Sequence, residues 1–480
     1  MKKKALSGIR WTTISSISVL SLQIIQLLIL SRILSPSDFG MMALVMSVVG
    51  FSNLFLDFGV SSYIIHKQNI SNKALSSLYW LNVLVGLFFF ALAYVLAPFI
   101  ADFYNEKELT SIIRLISINF IVISFTSQFS VLLQKELHFK KIAFINIIAG
   151  ISGLTVAVLL ALNDYHVYSL IYSAMTITAI SSLLYFIYGI KDHCPAFFLS
   201  FGEIKKAFSF GLFQMGERIL NYVNFQFDVI IIGRFFGTEL LGIYSIAKNL
   251  SMYPSNIINP IITKVSFPIM SKIQHDHFKL KGTFLKTINY LSSINFFVYS
   301  VLFFSAKPLI ILLLGNQWKS SIPVFQILLI YAAIRSTGNP IGSLQLAKGR
   351  ADMGFYWNLF LLIFIPISIY IGSSFGIEGI AFSLLFLMIT LLTLPNWYFM
   401  VRPLCGARLN EYMKQIYIPL LNTTVAFVIS YYLINMIGLN ETTSIILKTA
   451  SMSIIYIYLN IRFNKEFIYT LFQLLKFKLG

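Results

Sequence analysis

The sequence predicts an all-α integral membrane protein with about fourteen transmembrane helices. Of its 480 residues, 57% are hydrophobic and only 11% are charged, whereas a soluble domain carries about 25% charged residues. The 45 Phe and 25 Tyr residues are typical of a protein that faces lipid and places aromatic side chains at the membrane interfaces. Segments of about twenty mostly apolar residues, the length that crosses a bilayer, recur along the whole chain. The predicted spans are 11–33, 40–65, 77–101, 111–133, 142–162, 167–189, 207–233, 239–262, 287–313, 322–346, 355–374, 377–399, 415–437 and 443–462.

The distribution of basic residues predicts that both chain ends are cytoplasmic. With the N-terminus inside, most of the Lys and Arg residues outside the spans fall in cytoplasmic loops, whereas the acidic residues show no such bias. Basic loops stay on the cytoplasmic side of a membrane, and an even number of spans returns the C-terminus to that side. We expect the first span to be retained, because it is too long and too polar for a cleaved signal peptide. The net charge of +18 then reflects topology and attraction to anionic lipid, and no nucleic acid partner is expected.

A weak internal repeat predicts two lobes of six helices each. Residues 31–40 follow the first span and residues 233–242 follow the seventh, and one offset aligns Gly40 with Gly242. Because the matching spans are six apart, the two repeats share one orientation and are parallel. The predicted divisions are an N-terminal lobe at 1–190, a second lobe at 191–400, a helix pair at 401–463 and an amphipathic cytoplasmic tail at 464–480.

The same offset aligns Arg32 with Arg234, each at the outer end of a span. Asp38 and Glu239 lie in the turns beside these two arginines. We therefore predict that the arginines fix the turns rather than contact a ligand.

Polar side chains recur on one face of the seventh span. An ionisable group at membrane depth is costly and usually faces the bundle interior or a wet cavity. Intervals of three and four residues place a set of side chains on one helix face, namely Gln214, Glu217, Asn221, Asn224 and Asp228. The first span has a weaker version of this pattern at Thr12, Ser16, Gln23 and Gln26. We predict that both spans face a shared hydrated cleft, with interhelical hydrogen bonds as the alternative.

Further charged residues within the predicted spans are Asp57, Arg218, Lys248 and Arg335. Arginine suits bidentate contact with phosphate, and lysine supplies a point charge. The alternative is that the interior charges neutralise one another, because the spans contain three acids and three bases. The acids are Asp57, Glu217 and Asp228, and the bases are Arg218, Lys248 and Arg335. The pattern alone leaves both possibilities open.

Motifs for soluble catalysis are missing from the sequence. It contains no Walker A, HExxH or CxxC pattern, and a GxSxG match at 372–376 falls in a short turn between two spans, where a nucleophile elbow cannot form. We expect no enzyme activity, metal or cofactor. Pro254, Pro260 and the Gly-Asn-Pro stretch at 338–340 predict kinks or breaks in their helices.

Several short motifs resemble one family of membrane transporters. They are residues 34–40 (LSPSDFG), 57–59 (DFG), 233–237 (GRFFG), 241–245 (LGIYS) and 267–268 (FP). These stretches resemble the polysaccharide transporter family, the Wzx-type flippases of O-antigen and exopolysaccharide synthesis in the multidrug/oligosaccharidyl-lipid/polysaccharide exporter superfamily. The resemblance implies translocation of undecaprenyl-diphosphate-linked oligosaccharide across the bacterial plasma (inner) membrane by alternating access of two lobes. Surface polysaccharide such as O-antigen, capsule or exopolysaccharide would be the end product.

Applied to this chain, the resemblance implies roles for the polar residues of the spans. The candidate substrate-binding residues are Arg218, Lys248, Arg335, Gln214, Asn221 and Asn224, and the candidate ion-coupling residues are Glu217, Asp228 and Asp57. Membrane lipid, the polysaccharide polymerase and the chain-length machinery are candidate partners. The alternatives are a multidrug or cation antiporter of the same superfamily, a peptidoglycan precursor flippase, and a membrane polysaccharide polymerase or glycosyltransferase. The antiporter alternative calls for an acidic cavity, and the first span has no carboxylate.

Overall fold

The computed structural model describes residues 2–56, 60–67, 70–191, 193–198, 200–438 and 440–469. Every regular element in these ranges is helical, which confirms the predicted all-α class. Short π-helical stretches interrupt the later helices at Ile310–Leu314, Met388–Leu392 and Trp397–Val401, and Asn316–Trp318 is a 3-10 turn. The α-helices are α1 (Lys2–Ile33), α2 (Pro36–Leu56), α3 (Val60–His66), α4 (Asn72–Tyr104), α5 (Glu108–Ser124), α6 (Ser127–Lys135), α7 (Phe139–Ala161), α8 (Val167–Gly189), α9 (Phe201–Lys272), α10 (His277–Phe304), α11 (Ala306–Leu309), α12 (Ser321–Thr337), α13 (Asn339–Ala347), α14 (Ala351–Ser373), α15 (Gly376–Leu387), α16 (Thr393–Asn396), α17 (Arg402–Cys405), α18 (Leu409–Asn435) and α19 (Glu441–Phe463).

The described chain is a multi-pass membrane protein. Within the described ranges, 11 helices are long and apolar enough to cross a membrane, and the number rises to 13 if each of two bent helix pairs forms one span. The prediction of fourteen spans counts α9 as two of them. Gly237 interrupts this 72-residue helix with φ 81° and ψ 176°, a conformation that glycine tolerates far better than residues with a side chain. The exact number of spans stays a prediction.

The chain forms two compact units, Met1–Ser245 and Ile246–Gly480. The boundary falls within α9, shortly after the Gly237 break. The predicted lobe boundaries at 190 and 400 rest on the sequence repeat alone and stay a prediction. Residues 470–480 of the predicted tail lie outside the described residues.

The first unit is built around close helix contacts. Leu30 of α1 packs with Ala157 and Ala161 of α7 and with Leu170 of α8. Alanines one turn apart let neighbouring helices approach closely, which is how helices associate in lipid. α4 packs on α5, and α2 contacts both. This arrangement positions α2 against the 201–236 segment of α9, where the candidate site lies.

The second unit is organised around α10, which contacts α12, α18 and α19. The ring of Phe304 stacks on Phe427 of α18 at 4.0 Å between centroids, and Tyr431 continues the stack. Tyr456 of α19 donates a hydrogen bond of 2.7 Å to the carbonyl of Ser293 on α10. The predicted C-terminal helix pair therefore packs against α10 of its own unit.

One of the predicted helix breaks is present. α12 ends at Thr337 and α13 begins at Asn339, which confirms the break at 338–340. Pro254 and Pro260 lie inside α9, and the helix continues through both. The interruption in α9 instead lies at Gly237.

Candidate functional site

The predicted polar face lies on the 201–236 segment of α9. Glu217 and Asn224 are half-buried and Asn221 is exposed, whereas Asp228 is only 3% exposed. Burial of the polar face therefore increases from Asn221 through Asn224 to Asp228. Asp57 lies outside the described residues, and Gln214 is described by its backbone alone. Arg218, the next residue after Glu217, is exposed.

Asp228 closes the buried end of the polar face. Its Oδ2 accepts a hydrogen bond of 2.7 Å from the hydroxyl of Tyr244, which is 0% exposed. Its Oδ1 accepts a hydrogen bond of 2.8 Å from the backbone N–H of Val229. Hydrogen bonds to a charged acceptor are stronger than neutral ones and offset part of the cost of burying a carboxylate. The bond ties together the helical segments on either side of the Gly237 break.

The sequence analysis considers only basic residues as possible partners of the interior acids, and it misses Tyr244. Tyr244 lies in the LGIYS motif at 241–245, so a signal was present. The motif does not show that the tyrosine reaches back across the break to Asp228. That geometry depends on the φ of one glycine.

A second face of the same segment is fixed to α2. The Tyr222 hydroxyl lies 2.9 Å from the carbonyl oxygen of Ser47 and 3.2 Å from that of Met46, and Gln226 donates a hydrogen bond of 3.3 Å to the Tyr222 oxygen. A Cβ added at Gly50 would lie 2.1 Å from the Tyr222 hydroxyl. Because Tyr222 anchors this face to α2, the rotation of the segment about its axis is set.

Two candidate cations lie in the same part of the second unit. Lys248 is 6% exposed on the 238–272 segment of α9. The Arg335 Nη1 of α12 donates a hydrogen bond to the Met252 sulfur at 3.6 Å. Met252 follows Lys248 by four residues, so both face the same side of the helix. The structure therefore brings Arg335 to within about one helical turn of Lys248 along α9.

Tyr299 of α10 completes this part of the second unit. Its hydroxyl donates to the carbonyl of Ser251 at 3.0 Å and accepts from the N–H of Ser255 at 3.2 Å. The N–H of Ser255 is the kind of helix donor that an inserted hydroxyl can satisfy. Tyr299 thus holds the Lys248-bearing segment against α10.

One residue of the predicted polar face of the first span is committed to packing. Gln26 donates a hydrogen bond of 3.2 Å to the hydroxyl of Ser173 on α8, and this hydroxyl donates to the carbonyl of Gly153 on α7 at 2.8 Å. For Gln26, the interhelical alternative is therefore the one observed.

The turns that carry the internal repeat meet each other directly. A Cβ built on Gly40 would lie 1.8 Å from the carbonyl oxygen of Thr238, and a Cβ built on Gly242 would lie 1.8 Å from that of Pro36. The offset that aligns Gly40 with Gly242 also aligns Pro36 with Thr238. The two contacts are therefore equivalent under exchange of the repeats, and they allow the helix starts to touch backbone to backbone.

The turn-fixing role predicted for Arg234 stays a prediction. Its guanidinium lies over the ring of Phe103, 5.4 Å from the centroid, and no ion pair with Glu239 occurs among the described residues. In the matching turn, Asp38 accepts hydrogen bonds from the N–H and hydroxyl of Ser35, at 2.9 and 2.7 Å. A short capping side chain therefore fixes the first turn, as is common at helix starts.

Metal-ligand groups do not converge in the described part of the chain. Within those residues, no group of three or more His, Cys, Asp or Glu side chains could hold an ion. The described side chains of the polar face are the amides of Asn221 and Asn224 and the carboxyl groups of Glu217 and Asp228.

Comparison with known proteins identifies the family. Residues 29–323 match a family model described as polysaccharide biosynthesis protein. The lipopolysaccharide biosynthesis protein WzxC of Escherichia coli is 32% identical over 90% of this chain and 88% of its own length. The teichuronic acid biosynthesis protein TuaB of Bacillus subtilis is 29% identical over 89% of each chain.

The fold also has a solved counterpart. The inward closed structure of the lipid II flippase MurJ superposes with a TM-score of 0.77 at 14% identity, over 96% of this chain and 100% of that one. At 14% sequence identity, the similarity to MurJ shows a shared fold alone. The family model and the Escherichia coli relative each cover more than half of the chain, so the chain belongs to the polysaccharide biosynthesis protein family, in the Wzx-type branch of the multidrug/oligosaccharidyl-lipid/polysaccharide exporter superfamily that its motifs predict.

Proposed function

We propose that this protein is a flippase for lipid-linked oligosaccharide and not an enzyme. Its substrate is an undecaprenyl-diphosphate-linked repeat unit, carried from the cytoplasmic to the outer leaflet of a bacterial plasma membrane by alternating access. Both termini are cytoplasmic, and the product enters surface polysaccharide such as O-antigen, capsule or exopolysaccharide. The named relatives act in lipopolysaccharide and teichuronic acid biosynthesis, which supports this class of cargo.

The single observation that carries the proposal is the polar face of the 201–236 segment. Hydrocarbon offers no hydrogen-bond partners, so a glycan crossing it needs them from the protein. Asn221 and Asn224 supply amides at membrane depth, with Glu217 one turn before them. The face is accessible near Asn221 and buried at Asp228. A graded face of this kind suits a path that is open toward one side of the membrane and closed toward the other.

The cations of the second unit are the proposed contacts for the diphosphate. The contact of Arg335 with the Met252 sulfur positions the guanidinium beside the 238–272 segment of α9. Lys248 adds a point charge about one turn away. Glu217 and Asp228 are the proposed ion-coupling carboxylates.

The proposal is tested first by deleting the gene and analysing lipid-linked intermediates by leaflet. Accumulation of complete repeat units on the cytoplasmic leaflet is expected, because synthesis continues while translocation stops. Unpolymerised repeats already delivered to the outer face would instead identify a polymerase.

The candidate cation site is tested by replacing Arg335. Arg335→Ala is expected to lower surface polysaccharide on the order of tenfold, the effect of losing one charge-assisted hydrogen bond, and Arg335→Lys is expected to retain part of the activity. Arg350→Ala is the matched control, because Arg350 is exposed and paired with Asp352 at 2.8 Å. Normal export by Arg335→Ala in a folded, inserted protein would remove Arg335 from the path.

The burial of Asp228 favours a second candidate, a multidrug or cation antiporter. Such a transporter would use an interior carboxylate to couple proton or cation entry to efflux. Deletion would then increase sensitivity to cationic drugs and leave surface polysaccharide unchanged, the reverse of the pattern expected for a flippase.

A further inference from the structure

A long apolar groove runs along α4 in the first unit. α2, α4 and the 201–236 segment enclose a cavity of 440 Å³, within the range of roughly 300–1,000 Å³ typical of ligand sites. Its walls are mainly aromatic and aliphatic, and include Phe51, Leu92, Leu96, Phe99 and Phe103. The groove is distinct from the polar face, because it lies on the side of the segment that carries Tyr222.

Two adjacent cavities along α4 together match the thickness of a bilayer core. A second cavity of 420 Å³, lined by Phe55, Leu84 and Phe88, shares Phe89 with the first. The α4 residues that line the two cavities run from Leu84 to Tyr104, which at about 1.5 Å per residue is roughly 30 Å. The hydrocarbon core of a bilayer is also about 30 Å thick. The groove can therefore hold one extended lipid chain lying along α4.

A cation lies at one end of the groove. Arg234 stacks on the ring of Phe103 at 5.4 Å, and Phe103 is part of the groove wall. Among the residues that the structure describes, Arg234 forms no ion pair. Glu106, a neighbouring carboxylate, accepts a hydrogen bond of 3.1 Å from Thr238, and Asp102 is exposed. A guanidinium that lies over an aromatic ring keeps its charge and its N–H donors for an anion such as a phosphate.

We propose that this groove holds the isoprenoid chain of a polyprenyl diphosphate, with Arg234 as a further diphosphate contact in addition to those proposed at Lys248 and Arg335. The inference rests on the proposed function and assigns a lipid subsite to it, on the outer-leaflet side given the proposed topology. The groove follows a single helix and has one cationic end, so it matches a lipid with one chain per headgroup. A phospholipid has two acyl chains per headgroup, and the groove has room for only one of them.

The test uses photo-crosslinking of the full chain in phosphatidylglycerol nanodiscs that contain undecaprenyl diphosphate. A benzophenone amino acid replaces Leu96 in the groove or, as the matched control, Leu159, a 57% exposed residue of α7. Mass spectrometry then identifies the lipid adducts. Undecaprenyl adducts are expected to exceed phosphatidylglycerol adducts at Leu96, relative to the same ratio at Leu159.

Replacing the cation tests the headgroup contact. Arg234→Gln is expected to lower undecaprenyl adducts at Leu96 by roughly tenfold, the loss of one charge-assisted hydrogen bond. Arg114→Gln is expected to leave them unchanged, because Arg114 also stacks on an α4 ring, that of Tyr94 at 4.6 Å, which is not part of the groove. The comparison of Leu96 with Leu159 uses Arg234 in place and does not depend on the folding of its variants.

Two results would overturn the inference: equal adduct ratios at Leu96 and Leu159, or equal effects of the two arginine substitutions. Its failure can be separated from failure of the proposed function. If the groove is not labelled selectively but deletion still traps repeat units on the cytoplasmic leaflet, the flippase proposal stands and the lipid subsite is wrong.

Discussion

The contact between Gly40 and Gly242 gives a prediction whose size follows from the structure. In Gly40→Ala the new Cβ would lie 1.8 Å from the Thr238 carbonyl oxygen and 2.9 Å from the Gly242 nitrogen, where real Cβ atoms keep at least 3.0 Å from other heavy atoms. The helix starts would have to separate by about 1.2 Å, the difference between 1.8 and 3.0 Å. Both obstructing groups are backbone, so no side-chain rotation relieves the clash.

Overpacking of this kind costs about 1–3 kcal/mol. We expect Gly40→Ala and Gly242→Ala each to lower the thermal melting temperature in detergent, and to reduce surface polysaccharide when they replace the native gene. Because both substitutions open the same contact, the double variant should lose less stability than the sum of the single variants.

The matched control is Gly282→Ala in α10. A Cβ at Gly282 would have no heavy atom within 4 Å, and alanine is favoured over glycine inside a helix by about 1 kcal/mol. This variant should therefore melt at or above the temperature of the native protein. The reasoning would be refuted if Gly40→Ala had the same melting temperature as Gly282→Ala and also exported normal amounts of glycan.

Three further predictions follow from single contacts. Tyr244→Phe removes the 2.7 Å hydrogen bond to Asp228 and should lower the free energy of unfolding by about 1–3 kcal/mol. Adding Asp228→Asn should recover part of that loss. An unchanged melting temperature for Tyr244→Phe would contradict the role of this bond. Tyr456→Phe removes a buried 2.7 Å hydrogen bond to α10 and should lower the free energy of unfolding by about 1 kcal/mol, measured by thermal unfolding. An effect no larger than that of a Tyr→Phe change at an exposed position would count against a stabilising role for this bond. Asp276, in a loop predicted to be cytoplasmic, caps α10 and pairs with Lys279 at 3.0 Å, and these hydrogen bonds hold the pKa of its carboxyl below the usual value. Its contribution is therefore present above the unfolded pKa of about 3.9 and is lost as the pH falls through the lower folded pKa, so the difference in melting temperature between the native protein and Asp276→Ala should shrink on acidification. A difference that stayed constant would show that the carboxylate charge is not involved.

The helical class and the polar face were predictable because both depend on local patterns. Long apolar segments identify membrane helices by their length, and intervals of three and four residues identify a shared helix face. The correspondence of Gly40 with Gly242 was also visible in the sequence, because the two turns keep one offset.

The contacts of individual side chains were not predictable in the same way. Asp228 accepts a hydrogen bond from Tyr244, Gln26 is used in packing, and Arg234 lies over the ring of Phe103. Each of these outcomes depends on which neighbouring helix faces the residue. The spacing of residues along a helix gives the direction in which a side chain leaves that helix. It does not give the residue of the neighbouring helix that the side chain contacts.

The paired glycine contacts have a consequence for how the two repeats can change. Pro36 meets Gly242 as Thr238 meets Gly40, which is the pattern of a self-complementary surface around a two-fold axis. In a symmetric dimer of one repeat, a single substitution at this glycine would introduce two clashes at once. In the fused chain the two positions are separate codons, so each half of the contact can be altered alone and its effect measured against the other.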